Sequence, residues 1–165
     1  MSEPLPKVIK NLEALNYKPY KHGNPRMAAF LRVTHDVVHF PGILRPQLSL
    51  SLGELAGVGV STLRQILEVN RYIGGSLEGA DESEARALAT HSDERVPKAG
   101  KVLYIVGSGS VEAMFSGTGG ASETVLKAGS VTVFDATKPH RFLTSGRETC
   151  VRYSIPLGKA FYSVG

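Results

Sequence analysis

Among the five histidines of this 165-residue chain, His91 stands in the pattern His91-Ser92-Asp93, an imidazole and a carboxylate two positions apart. Side chains alternate along a strand, so on a strand both would leave the same face. Together they supply two legs of a 2-His-1-carboxylate metal site, whose third leg has to come from a distant strand. His140, 49 positions on and preceded by Lys138-Pro139, is the candidate. Such a facial triad leaves three coordination positions open, which lets a ferrous ion hold a co-substrate and O2 together. Taken alone the pair is weak, since a surface turn accommodates a histidine and an aspartate equally well.

The segment Thr149-Cys150-Val151-Arg152-Tyr153-Ser154-Ile155 adds a second kind of chemistry. Read as a strand, it puts Val151, Tyr153 and Ile155 on one face and Cys150, Arg152 and Ser154 on the other. An arginine facing the inside of a barrel is costly unless it meets an anion. A guanidinium fork binds a carboxylate bidentately, and a neighbouring hydroxyl adds a hydrogen bond. The plain alternative is an edge strand with a solvated arginine. His140, twelve residues upstream, weighs against it.

In this order the pieces resemble the Fe(II)- and 2-oxoglutarate-dependent oxygenases, whose pattern is His-x-Asp, a distal histidine, and Arg-x-Ser on the next strand. Here they read His91-Ser92-Asp93, His140 and Arg152-Tyr153-Ser154. Gly129-Ser130-Val131-Thr132-Val133-Phe134 looks like the family's glycine turn and strand before the distal histidine. Asn70-Arg71-Tyr72 is similar to the Asn-x-Tyr that contacts 2-oxoglutarate in the isopenicillin-N-synthase-like, plant-type branch. The resemblance covers about residues 65–158. It implies a distorted double-stranded β-helix, a jelly-roll of cupin-like shape. Fe(II) would sit on His91, Asp93 and His140. The far carboxylate of 2-oxoglutarate would pair with Arg152 and Ser154, helped by Tyr72 and Asn70. The implied reaction consumes O2, oxidises an unactivated C–H bond of a small organic substrate, and releases succinate and CO2. The chain departs from the pattern in two respects. The gap between His140 and Arg152 is longer than usual, and Arg147 within Ser145-Gly146-Arg147-Glu148 competes for the anion role. The N-terminal part is shorter than in most members, which implies either a minimal version or a homodimer that covers an exposed face.

The elements that must position these residues change character along the chain. Val8, Ile9, Leu12 and Leu15 recur at helical spacing, and a second helix is expected from Pro25 through Val38, stopped by Pro41-Gly42. Between 43 and 60, Gly53, Gly57 and Gly59 argue against a long helix. Thr62 to Tyr72 starts with helical character and ends strand-like. The runs Lys101–Val106, Val111–Phe115, Glu123–Leu126, Ser130–Phe134, Arg141–Leu143 and Thr149–Ile155 are short strands separated by turn residues, which points to a sandwich or small barrel. Gly107-Ser108-Gly109 and Gly117-Thr118-Gly119-Gly120 lack the Lys-Ser/Thr of a phosphate loop and read as hairpin turns. The 73–90 connection carries Glu78, Asp81, Glu82 and Glu84 beside Gly74, Gly75 and Gly79. As a lid over the site it would favour a cationic or amine-bearing substrate. Its plain alternative is a solvated loop.

Other residues support narrower readings. His35 and His39, four apart, would share a helix face as some zinc pairs do, but no Glu follows His35 and a structural or surface role is expected. His22 falls in a loop. The single Cys150 excludes a disulfide framework and a multi-thiolate zinc site, and reads as a small apolar filler on the Arg152 side. The excess of 19 Lys+Arg over 15 Asp+Glu is scattered, so no nucleic-acid partner is expected. No apolar run reaches the roughly 18 residues of a membrane helix. The first residues lack the apolar stretch of a secretory signal, and a cytoplasmic protein is expected.

The sequence therefore predicts one domain over 1–165, mainly β. Residues 1–60 form helical and irregular support packed outside a double-stranded β-helix core of 61–165. The function expected is an Fe(II)- and 2-oxoglutarate-dependent dioxygenase. The alternative is a metal-binding cupin, either an enzyme or a non-catalytic ligand-binding module. Gly129 to His140 has the spacing of a cupin's second motif, but Asp135 and Thr137 replace its Pro and Gly. Arg152-x-Ser154 favours the oxygenase.

Overall fold

Val8 and Leu12, one helical turn apart, are fully buried on one side of α1, Leu5–Glu13. Pro4 and Pro6 suit its first turn, where backbone N–H groups have no helical acceptor. The computed structural model describes residues 3–19, 36–41, 44–57, 68–73, 101–117, 120–135, 138–143 and 150–157. A second helix, α2, spans Pro46–Ala56, opens on a proline and closes on Gly57 with φ 71°, the left-handed cap that a side chain disfavours. Gly57 ends this helix, while Gly53, expected with Gly57 and Gly59 to argue against a long helix, lies inside it and is buried. Leu48 and Leu52 beside it are fully buried, so packing outweighs the glycine's modest propensity cost. None of the described helices is long and apolar enough to cross a membrane.

The strands in chain order are β1 (Lys18–Pro19), β2 (Asp36–Pro41), β3 (Glu68–Ile73), β4 (Lys101–Ser108), β5 (Ser110–Gly117), β6 (Gly120–Lys127), β7 (Val131–Asp135), β8 (His140–Leu143) and β9 (Val151–Pro156). They form two antiparallel sheets, ordered β1-β2-β3-β9-β4-β7 and β6-β5-β8. From β4 onward the chain repeatedly crosses between them, which is the wiring of a jelly roll. The protein is mainly β and has this jelly-roll architecture.

One corner shows how the wiring is enforced. β4 pairs with β7 in the larger sheet, while β5 pairs with β6 in the smaller, so a long two-stranded ribbon folds over between them. At the fold, Gly109 and Gly129 adopt φ 73° and 88°, and backbone bonds Ala128 N–H to Gly109 O (2.9 Å) and Gly129 N–H to Val106 O (2.8 Å) tie the two arms. Only glycine takes such φ values freely. Gly107-Ser108-Gly109 is thus a corner between sheets and not the expected hairpin, because β4 and β5 never pair. The other predicted turn does close a hairpin, with Gly117 opposite Gly120.

Two apolar layers result. Leu103, Ile105, Tyr153, Ile155 and Val69 turn outward from the larger sheet and bury against Val8, Leu12, Leu48 and Leu52, so the helices pack outside. Tyr104, Val106, Val111 and Cys150 turn inward with Leu126, Phe134 and Phe142. α1 approaches closely: a Cβ on Gly107 would lie 3.1 Å from the Tyr153 ring and 3.5 Å from Ile9.

The N-terminal part corrects one expectation. The helix read from Pro25 through Val38 does not reach its end, because Asp36–Pro41 is β2, paired residue for residue with β3. Val37 and Val38 fit both periodicities, and the open edge of β3 decides for the strand. Residues 20–35 lie outside the described residues. So does His35, while His39 is on β2 opposite Asn70, which removes the helical His35–His39 face.

Candidate functional site

The inner face of the larger sheet carries two transverse rows set by strand register. In one, Asn70, Ser154, Tyr104 and Thr132 stand side by side across β3, β9, β4 and β7. In the next, Tyr72, Arg152 and Val106 do the same. Arg152, 1 % exposed, is among the largest buried side chains. Its Nη1 donates to the Tyr104 hydroxyl at 3.4 Å, and its guanidinium carbon lies 5.4 Å from the centre of the Tyr72 ring. Burial pushes the Tyr104 hydroxyl up to about 12, partly opposed by the positive charge of Arg152, so it keeps its proton at neutral pH. The Oδ1 atom of Asn70 is buried with no hydrogen-bond partner among the described residues. The inward turn of Arg152 and the outward turn of Tyr153 and Ile155 follow the predicted alternation.

His140 begins β8 in the facing sheet, 3 % exposed and opposite Phe115. Its Nδ1 is 2.8 Å from the carbonyl oxygen of Lys138. A carbonyl only accepts, so Nδ1 carries a proton, and in the neutral tautomer compatible with this bond Nε2 holds the lone pair. That is the tautomer a metal-binding histidine uses, with the second ring nitrogen fixed by a backbone carbonyl. Aromatic rings connect the two regions. Tyr104 stacks on Phe142 at 3.9 Å and 8°, and Phe134 touches Phe142 (5.2 Å) and His140 (4.9 Å). Arg152 and His140 therefore both border one aromatic cluster.

No protein-family model and no curated protein sequence matches the chain. Among solved structures, it is similar to hydroxypropylphosphonic acid epoxidase from S. wedmorenis, at 12 % identity and TM-score 0.39 over 56 % of this chain and 44 % of that one. It is similar to a mutant of Bacillus subtilis oxalate decarboxylase at 12 % identity and TM-score 0.46, over 84 % and 27 % of the two chains. Vicilin from Capsicum annuum matches at 14 % identity and TM-score 0.42, over 74 % and 27 %. The matched part covers less than two thirds of each of these proteins.

Of the residues singled out in the sequence, Asn70, Tyr72, Arg152 and Ser154 are brought together on adjacent strands of the jelly roll, and His140 is inside it. Cys150 is buried in the inner layer on the Arg152 side. His91, Asp93 and Arg147 lie outside the described residues, as do His22 and the acidic Glu78, Asp81, Glu82 and Glu84. Among the described residues no three His, Cys, Asp or Glu side chains come together as a metal site. Tyr104 was not foreseen. Its signal was a lone hydroxyl in the otherwise apolar run Val102–Val106, on a strand buried on both faces.

Proposed function

We propose that the protein is an Fe(II)- and 2-oxoglutarate-dependent dioxygenase acting on a small organic molecule. His91, Asp93 and His140 hold the iron, and Arg152, Ser154, Tyr72 and Asn70 hold the co-substrate. The observation that carries this reading is the inner-face register of Tyr72 with Arg152 and of Asn70 with Ser154, which sets two distant segments side by side at one buried arginine. The fixed Nδ1–H of His140 supports a metal on its other nitrogen. When bound, iron and 2-oxoglutarate supply the oxidation of an unactivated C–H bond, with O2 consumed and succinate and CO2 released.

The chain's own residues do the rest. Arg152 meets the far carboxylate of the keto acid, and the Tyr72 ring beside it fixes the plane of the fork. Ser154 adds a hydroxyl and Asn70 a carboxamide in the neighbouring row. Phe134, Phe142 and Tyr104 make the surroundings of His140 apolar and exclude water from it. The carboxylates of Glu78, Asp81, Glu82 and Glu84 favour a cationic or amine-bearing substrate.

The test is an anaerobic titration of the protein with Fe(II) and then 2-oxoglutarate, watched for the visible metal-to-ligand charge-transfer band. A saturable band supports the reading. Iron binding without a band points instead to a metal-binding cupin that takes no keto acid.

A further inference from the structure

Tyr104 belongs to no part of the site read from the sequence, yet the residue stands within the polar row. Its cross-strand partners are Ser154 on one side and Thr132 on the other. The residue is 2 % exposed, and its oxygen accepts from Arg152 Nη1 at 3.4 Å. Accepting leaves the phenolic proton still to be donated, and no acceptor for it lies among the described residues. A buried O–H with no acceptor among these residues calls for a partner that a ligand can supply, and phenylalanine would fill the same space without that need. The ring is also held. It stacks on Phe142 at 3.9 Å and meets Phe134 edge-on at 6.3 Å, which fixes where the hydroxyl points.

We propose that Tyr104 is a further binding donor of the Arg152 site, donating a hydrogen bond from its hydroxyl to the same carboxylate that Arg152 pairs with. The inference rests on the reading of that site as a carboxylate pocket and is independent of iron. A rigid neutral donor beside a guanidinium binds an anion at little ordering cost, because neither partner has to be recruited on binding. It also selects for an acceptor, so a carboxylate is preferred to an ammonium or an alkyl group at this end of the ligand.

The chain has no tryptophan, so its near-ultraviolet spectrum reports tyrosine. The full-length protein is titrated with glutarate, a five-carbon dicarboxylate without the keto oxygen. The wild type is expected to bind saturably and to give a tyrosine difference band as the phenol gains a charged acceptor. Tyr104→Phe is expected to melt as the wild type does, bind glutarate about tenfold more weakly or worse, and lose most of the band. Tyr153→Phe, on the outer face of the same sheet, is expected to keep both the affinity and the band. Wild-type affinity in Tyr104→Phe, a band that vanishes only in Tyr153→Phe, or no glutarate binding by the wild type would each overturn the proposal. The two readings fail differently. Tyr104-dependent glutarate binding without a charge-transfer band removes the dioxygenase and keeps Tyr104. A band that forms with 2-oxoglutarate at the same concentration in wild type and Tyr104→Phe does the reverse.

Discussion

Tyr72 on β3 and Arg152 on β9 are direct cross-strand partners, with the guanidinium carbon 5.4 Å from the centre of the ring. Opposite residues of an antiparallel pair project from the same face, so the charge and the ring are held together by the sheet itself. The contact orients the fork in a low-dielectric layer, where a carboxylate meeting it bidentately is bound strongly and in one direction.

Removing that fork separates co-substrate from metal. Arg152→Ala is expected to weaken 2-oxoglutarate binding by about 2–5 kcal/mol, with Fe(II) retention nearly unchanged. Arg147→Ala should do much less. Parallel titrations of the two variants decide which arginine is used, and a reversed order would move the anion site to Arg147.

The metal assignment is checked by retention. Replacing His91, Asp93 or His140 with Ala leaves two ligands for a labile ion, so each variant is expected to lose Fe(II) on desalting. Bound iron is measured directly, independently of turnover. Full retention in all three would remove the site.

Two buried phenols set an alkaline limit. Burial pushes both Tyr104 and Tyr153 up to about 12 from 10.0, helped at Tyr153 by the charge of Glu13. Their folded forms hold the proton more tightly than the unfolded chain does. The stability they contribute is therefore complete below pH 10 and is lost as pH rises toward 12. The loss approaches about 3 kcal/mol for Tyr104 and is smaller for Tyr153, whose surroundings screen its charge more. Urea unfolding between about pH 8 and 11 should show a steepening fall that Tyr153→Phe reduces. Tyr153→Phe should also raise stability near neutrality by about 1 kcal/mol, since its buried hydroxyl has no hydrogen-bond partner among the described residues.

Gly129 tests the corner of the jelly roll. A Cβ there would touch nothing within 4 Å, so the cost of Gly129→Ala comes from φ 88° alone. About 1–2 kcal/mol of destabilisation is expected, read from the urea midpoint. A loss much larger than this would mean the corner depends on contacts as well as on its backbone.

Period-two alternation is a local property, and the sequence by itself determined what depends on it. Arg152 and Ser154 leave one face of the last strand and Tyr153 and Ile155 the other, and the short runs from Lys101 onward are strands. A mainly β sandwich or barrel and a first helix follow from the same patterns and from Val8 and Leu12 at helical spacing, while the jelly roll with helices outside comes from the resemblance. Register and sheet membership are not local, and only the tertiary structure decided them. Asn70 and Tyr72 meet Ser154 and Arg152 because β3 pairs with β9 across some eighty residues of chain. Gly107–Gly109 makes a corner because β4 and β5 have different partners, and Val37–Val38 enters a strand because β3 offers an edge. Tyr104 emerged for the same reason: its hydroxyl gains a meaning only when β9 brings Arg152 beside it.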